Sequence, residues 1–107
     1  MSIRVDDEDG ELVAGLSGWT WGTCAGVAML WVREDSRRDG WGARLLHEAE
    51  QVARERGCRQ VVVSSFTFQA PGFYQRHGYV EHGRTTALPV QGEADVHMTK
   101  VLMPPTA

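Results

Sequence analysis

Arg37-Arg38-Asp39-Gly40-Trp41-Gly42 is the stretch of this chain whose residue types and spacing suggest chemistry. Two guanidinium groups stand beside a pair of glycines, and an apolar periodicity begins at Leu45. If a helix starts there, its first-turn amides have no intrahelical acceptors and its dipole leaves that end positive. Glycines remove Cβ atoms, so the backbone can approach a pyrophosphate closely. Arg37 and Arg38 can add charge-assisted contacts to the outer phosphates. The bland reading of the same residues is a solvated loop ahead of a helix. The stretch is not a nucleotide P-loop, because the Gly-Lys-Ser/Thr ending is missing. Nor is it a dinucleotide fingerprint, since GWGARL carries Leu45 where glycine or alanine is required.

The elements that must position this stretch belong to one small domain, residues 1–107. A hydrophobic share of 42% and a charged share of 23% are ordinary for a soluble globular chain. A formal net charge of -3 argues against a nucleic-acid partner, which needs a basic face. No apolar run approaches the ~20 residues of a membrane span, and MSIRVDDEDGE has no signal-peptide segment. Cys24 and Cys58 have no metal-like spacing and read as small core residues of a reduced, cytoplasmic protein. No His/Cys/Asp cluster has metal-ligand spacing, so no metal is expected.

Along the chain, Ile3–Asp6 starts a strand and DDEDG makes an acidic turn. ELVAGLSGWTW alternates loosely, Trp21-Gly22-Thr23 suits a hairpin turn, and CAGVAMLWV reads as a strand buried on both faces. Residues 40–56 form the one convincing helix. Leu45, Leu46, Ala49, Val52 and Ala53 make its apolar stripe, with charges elsewhere, Glu50 within reach of Arg54, and Gly57 as a left-handed stop. CRQVVVSSF is a second buried strand, so strand, helix and strand predict a parallel pair with a right-handed crossover. APGFYQRH gives a short helix that opens on Pro71 and stops at Gly78. YVEHGRTTAL and ADVHMTKVL give two last strands, and MPPTA is expected to fray.

Two blocks carry a resemblance. LWVREDSRRDGWGARLLHEAEQVARERGC is similar to motif A of the GNAT superfamily of acyl-CoA-dependent N-acyltransferases, with its R/Q-x-x-G-x-G/A signature on Arg37, Gly40 and Gly42. FQAPGFYQRHGYVE resembles the family's FY-x-x-x-G-F/Y segment, with Phe73, Tyr74, Gly78 and Tyr79 in register. The likeness runs from about residue 3 to residue 103. It implies an α/β (α+β) fold: a mixed, mostly antiparallel sheet with a central parallel βαβ unit and a second short helix. It also implies acetyl-CoA as co-substrate and a small-molecule or peptide amine as acceptor. The amides of Arg38, Asp39, Gly40, Trp41, Gly42 and Ala43 would hold the pyrophosphate, with Arg37 and Phe73 beside them. Leu30, Trp31 and Val32 would pair with the pantetheine arm like an added strand.

Acyl transfer from a thioester to an amine must deprotonate the amine, stabilise a developing oxyanion and protonate a leaving thiolate of pKa near ~8.5. The resemblance gives the last role to Tyr74 and the oxyanion to a backbone amide near Trp31 or Val32. The other reading of Tyr74 is a packed ring with its hydroxyl in water. Relatives often carry a basic carboxylate on the strand before motif A, and CAGVAMLWV has none. His97 is then the candidate base, ahead of His82, Asp95 and Glu81 on the final strands. A reactive amine arriving neutral would need no base. Gln69 and Thr67 fall where relatives often place an asparagine on pantetheine, and neither is asparagine. His47 and the four tryptophans read as structural or interface residues.

A complete family domain usually has a strand and helices ahead of the segment matched by Ile3–Asp6. Without them a sheet edge and apolar surface are expected to be exposed, and a homodimer is the expected remedy. Two functions follow from the resemblance: an N-acyltransferase acting on an amine, or a repurposed domain that binds coenzyme A, a carrier-protein phosphopantetheine or a protein partner without turnover.

Overall fold

The computed structural model describes residues 1–102, so the MPPTA tail lies outside the described residues. Six strands form one sheet: β1 (Ser2–Asp6), β2 (Leu12–Trp21), β3 (Cys24–Val32), β4 (Gln60–Phe66), β5 (Val80–Thr86) and β6 (Ala94–Val101). A 3-10 turn, Glu34–Asp39, leads into α1 (Trp41–Glu55), and α2 (Pro71–Arg76) follows β4. The strand order is β1-β2-β3-β4-β6-β5, with β3 and β4 the parallel pair and the other pairings antiparallel. The mixed, mostly antiparallel sheet around a parallel βαβ unit is therefore what forms.

Local chemistry explains the joints. Gly22 has φ 60 and opens the two-residue loop between the paired ends Trp21 and Cys24, as a primed hairpin turn requires. At the end of α1, Gly57 has φ 83, the Gly57 N–H reaches the Arg54 carbonyl and the Cys58 N–H reaches that of Ala53. That pair of bonds is a Schellman stop.

Leu45, Leu46, Ala49 and Ala53 turn inward onto the sheet as expected, while Val52 is only half-buried. Glu50 departs from the expected pattern of charges outside the stripe, being only 2% exposed. It lies one turn beyond Leu46 and is held there by the Tyr79 hydroxyl at 2.8 Å and Lys100 Nζ at 2.9 Å. Burying a carboxylate requires such partners.

The largest correction concerns β3. Its first half is buried, as expected for a strand covered on both faces, but Met29 is 57% exposed and Trp31 40% exposed. Two irregularities coincide there. Gly18 pairs with Val27 and Ser17 with Met29, which leaves Ala28 as a bulge. Pairing of β3 to β4 also stops at Val27 with Val63. Beyond that point β3 continues to Val32 and β4 to Phe66 with no ladder between them. The bulge bends β3 away from its parallel neighbour and opens a gap in the sheet.

Alternation along the strands divides the molecule into two faces. The core cluster of Ala14, Leu16, Val63, Met98 and Tyr74 lies with α1 on one face. Trp19, Trp21, Met29, Trp31, Ser64 and His97 occupy the other, and no described helix packs on it.

Candidate active site

The gap is a cleft of about 740 Å³ that passes between β3 and β4. Val27 to Val32 form one wall and Val63, Ser64 and Ser65 the other. Gly40, Gly42 and Ala43 at the start of α1 join from the helix side, with Phe73 and Tyr74 of α2. Because β3 has no β4 partner beyond Val27, its backbone groups on this side lack ladder bonds and, apart from the Val32 carbonyl that Arg37 takes, can bond an extended amide-bearing ligand, as an exposed edge does.

The helix end is open in the way the sequence predicts. Gly40 has φ 77, and the first α1 bond runs from the Arg44 N–H to the Gly40 carbonyl at 3.1 Å. The N–H groups of Trp41, Gly42 and Ala43 precede that bond and have no acceptor within the helix. Gly42 serves a second purpose. A Cβ there would lie 3.3 Å from Phe73 Cζ, so glycine lets α2 close against α1. Arg37 bends its Nε onto the Val32 carbonyl at 3.2 Å and keeps its guanidinium exposed at the cleft.

Among the expected donor-binding residues, the cleft gathers Leu30, Trp31, Val32, Arg37, Gly40, Gly42, Ala43 and Phe73. Arg38, Asp39 and Trp41 do not line it. The first two are exposed on the 3-10 turn, whose amides bond three residues back. Trp41 carries the Arg44 guanidinium over its ring at 4.5 Å. Arg76 supplies a cation to the lining that sequence reasoning missed, because an arginine in the last turn of a short helix looks like a helix cap.

Tyr74 is buried, its ring edge-on to Phe73 at 5.1 Å and to Tyr79 at 5.7 Å. Its hydroxyl makes no hydrogen bond to a described residue, and burial pushes its pKa up, so it is protonated at neutral pH. Tyr79, one ring behind, is engaged with Glu50 and pushed up further by burial and that carboxylate.

The final strands β5 and β6 hold the candidates for a base. His97 does not line the cleft. Its Nδ1 lies 2.9 Å from Ser64 Oγ and its Nε2 2.9 Å from Thr85 Oγ1. His82 is exposed, with its ring centroid 6.5 Å from that of His97. Glu81 is paired with Arg84 at 2.7 Å, which holds its carboxyl below the usual range and makes it a poor base. Asp95 Oδ1 is shielded from water and has no hydrogen-bond partner among the described residues. Gln69 lines the cleft while its Oε1 accepts the Phe66 N–H at 2.9 Å. Thr67 is structural, bonded to Glu93 and accepting the Ala94 N–H at 3.1 Å. Among the described residues no group of His, Cys, Asp or Glu is arranged to hold a metal ion.

Comparison with known proteins agrees with this geometry. The sequence model of the acetyltransferase (GNAT) family matches residues 2–79. Blasticidin-S acetyltransferase of Streptomyces morookaense is 49% identical over 76 residues, covering 67% of this chain and 54% of that protein. The chain thus spans about half the length of this curated relative. The crystal structure of an acetyltransferase from Bacillus cereus ATCC 14579 superposes with a TM-score of 0.90 at 40% identity, over 95% of this chain and 72% of that one. An aminoglycoside 6'-N-acetyltransferase complexed with coenzyme A shares the fold at a TM-score of 0.85 and 19% identity, over 99% of this chain and 74% of that one. A sheet split beside an unroofed helix end, with a tyrosine at the split, is thus the arrangement of a chain that belongs to the GNAT acetyltransferase family.

Proposed function

We propose that this chain transfers an acetyl group from acetyl-CoA to a primary amine of a small molecule. One observation carries the reading: the stretch of β3 without a β4 ladder, the open end of α1 and Tyr74, whose hydroxyl has no hydrogen-bond partner among the described residues, meet in a single cleft. Backbone, glycine and a protonated acid are what a pyrophosphate, an amide-bearing arm and a leaving thiolate need.

The amides of Gly42 and Ala43 bind the pyrophosphate, with Arg37 and Arg76 adding charge. The free edge of β3 from Ala28 to Val32 orients the pantetheine arm by strand-like pairing. When bound, acetyl-CoA supplies a thioester whose acyl carbon the amine attacks. An unpaired β3 amide past the bulge bonds the carbonyl oxygen as it gains charge. Tyr74 gives its proton to the departing sulfur. The acceptor arrives from the open face, beside Ser64 and Trp31.

The acceptor named for the Streptomyces relative, blasticidin S, supports a small amine of that class, and it is the first probe to use. Thermal shift with acetyl-CoA, followed by free-thiol release with blasticidin S and a panel of primary amines, tests the reading. Stabilisation with thiol release is the expected result, and stabilisation without release from any amine contradicts it. The second reading, a domain that binds without turnover, has one observation in its favour. Both His97 nitrogens are already bonded to hydroxyls, so His97 does not face an amine directly.

Two finer points belong to the same proposal. A homodimer is supported by the exposed aromatic face, where Trp21 is 85% exposed and Trp19 44%. Sedimentation showing a stable monomer at micromolar concentration contradicts it. A cytoplasmic setting is supported by the free thiols of Cys24 and Cys58 and by the use of a cytosolic thioester.

A further inference from the structure

No residue of β3 supplies a base, but β4 brings a hydroxyl to the cleft. Pairing between the parallel strands ends at Val63, so the next residue, Ser64, is exposed beside the gap and lines it. Ser64 stands opposite His97 in the β4–β6 register, and their Oγ and Nδ1 are 2.9 Å apart. On the far side of the ring, Nε2 is 2.9 Å from Thr85 Oγ1 on β5. Three strands therefore hold one hydrogen-bonded chain from the cleft wall to the sheet edge.

Resting on the acyltransfer reading above, we propose that Ser64 is a catalytic residue and the cleft end of a proton relay into His97. Ser64 Oγ takes the proton that the acceptor nitrogen gives up, and the Ser64 hydroxyl proton passes to His97 Nδ1. The nitrogen bonds to the acyl carbon, the carbon–sulfur bond breaks, and the sulfur takes the Tyr74 proton. His97 gains one proton and Tyr74 loses one, so the protein's charge is unchanged over the step, and solvent restores both groups afterwards. His97 acts only through Ser64, which is how a histidine with both nitrogens occupied serves the reaction.

The relay runs in one tautomer. Nε2–H donates to Thr85, leaving Nδ1 to accept from Ser64. The titratable groups around the ring on this face are His82 of β5, at 6.5 Å between ring centroids, and Asp95 two residues back on β6. β4 contributes none.

The test uses the full chain, acetyl-CoA and blasticidin S, with Ser64→Ala and Ser64→Thr variants. Ser64 is exposed, so both variants should keep the wild-type melting temperature. Ser64→Ala is expected to lower kcat about 100-fold and to remove the low-pH limb of kcat/KM. Coenzyme A affinity should stay within about twofold, and Ser64→Thr should restore kcat to within about tenfold of wild type. Nitrogen-15 NMR of the free wild-type protein should show His97 protonated at Nε2 and bare at Nδ1. Transfer by wild type with an indistinguishable Ser64→Ala profile, or a ring protonated at Nδ1, overturns the relay alone. Coenzyme A binding by wild type without thiol release from any amine overturns the acyltransfer reading, and the relay with it.

Discussion

On the helix side of the gap between β3 and β4, the walls are backbone amides, glycines and the packed rings of Phe73 and Tyr74. On the open side they are exposed side chains contributed by separate strands. The difference matches what each side handles in the proposed function. A pyrophosphate and an amide-bearing arm are recognised by backbone in a fixed shape, which a buried, over-determined framework provides. An acceptor amine is recognised by side chains, and these can change without disturbing the core.

Given that contrast, the two faces of a single strand should respond very differently to substitution. Lys100→Met leaves the Glu50 carboxylate, whose side chain is 3% exposed, buried with Tyr79 as its remaining hydrogen-bond partner among the described residues. A loss of about 3–5 kcal/mol in urea melting is expected. Val101→Ser, one residue on and 77% exposed, should stay within about 0.5 kcal/mol. Comparable losses in both variants would abolish the distinction between the faces.

Next in size is Tyr74→Phe. Removing the acid should lower kcat about 100-fold, or ~2.7 kcal/mol, with little change in coenzyme A affinity. A variant with the wild-type rate shows that Tyr74 only packs its ring. A smaller effect, about 1–2 kcal/mol, is expected for Gly40→Ala, measured as weaker coenzyme A binding by calorimetry and a lower melting temperature. No neighbouring atom of the described residues lies within 4 Å of an added Cβ there, so the cost comes from holding φ 77 rather than from a clash. Smallest of all should be Trp21→Ser, which is expected to leave monomer stability within about 0.5 kcal/mol while weakening any dimer seen by sedimentation.

The same contrast separates what could be read from the sequence from what could not. Gly40 and Gly42 were legible because glycine itself signals positive φ or close approach, and Tyr74 because two spaced motifs agreed. The order of strand, helix and strand also followed from periodicity alone. Ser64 carried no signal, since a serine ending a β-branched run is common and its partner lies 33 positions away. Glu50 looked like one more surface charge because Lys100 is 50 positions away. The run CAGVAMLWV misled for a physical reason. Apolar composition cannot tell a strand covered on both faces from one that loses its neighbour at a bulge, and only the Ala28 register shift reveals the gap.

The central claim is that the split between β3 and β4 holds the acyl donor against the open end of α1. Backbone amide chemical shifts of the nitrogen-15-labelled chain, titrated with coenzyme A, test it most directly. The largest, saturable shifts are expected at Gly42 and Ala43 and along β3 from Ala28 to Val32, with β1 and β5 nearly silent. Saturable shifts centred elsewhere, or no saturable shifts at millimolar coenzyme A, would contradict it.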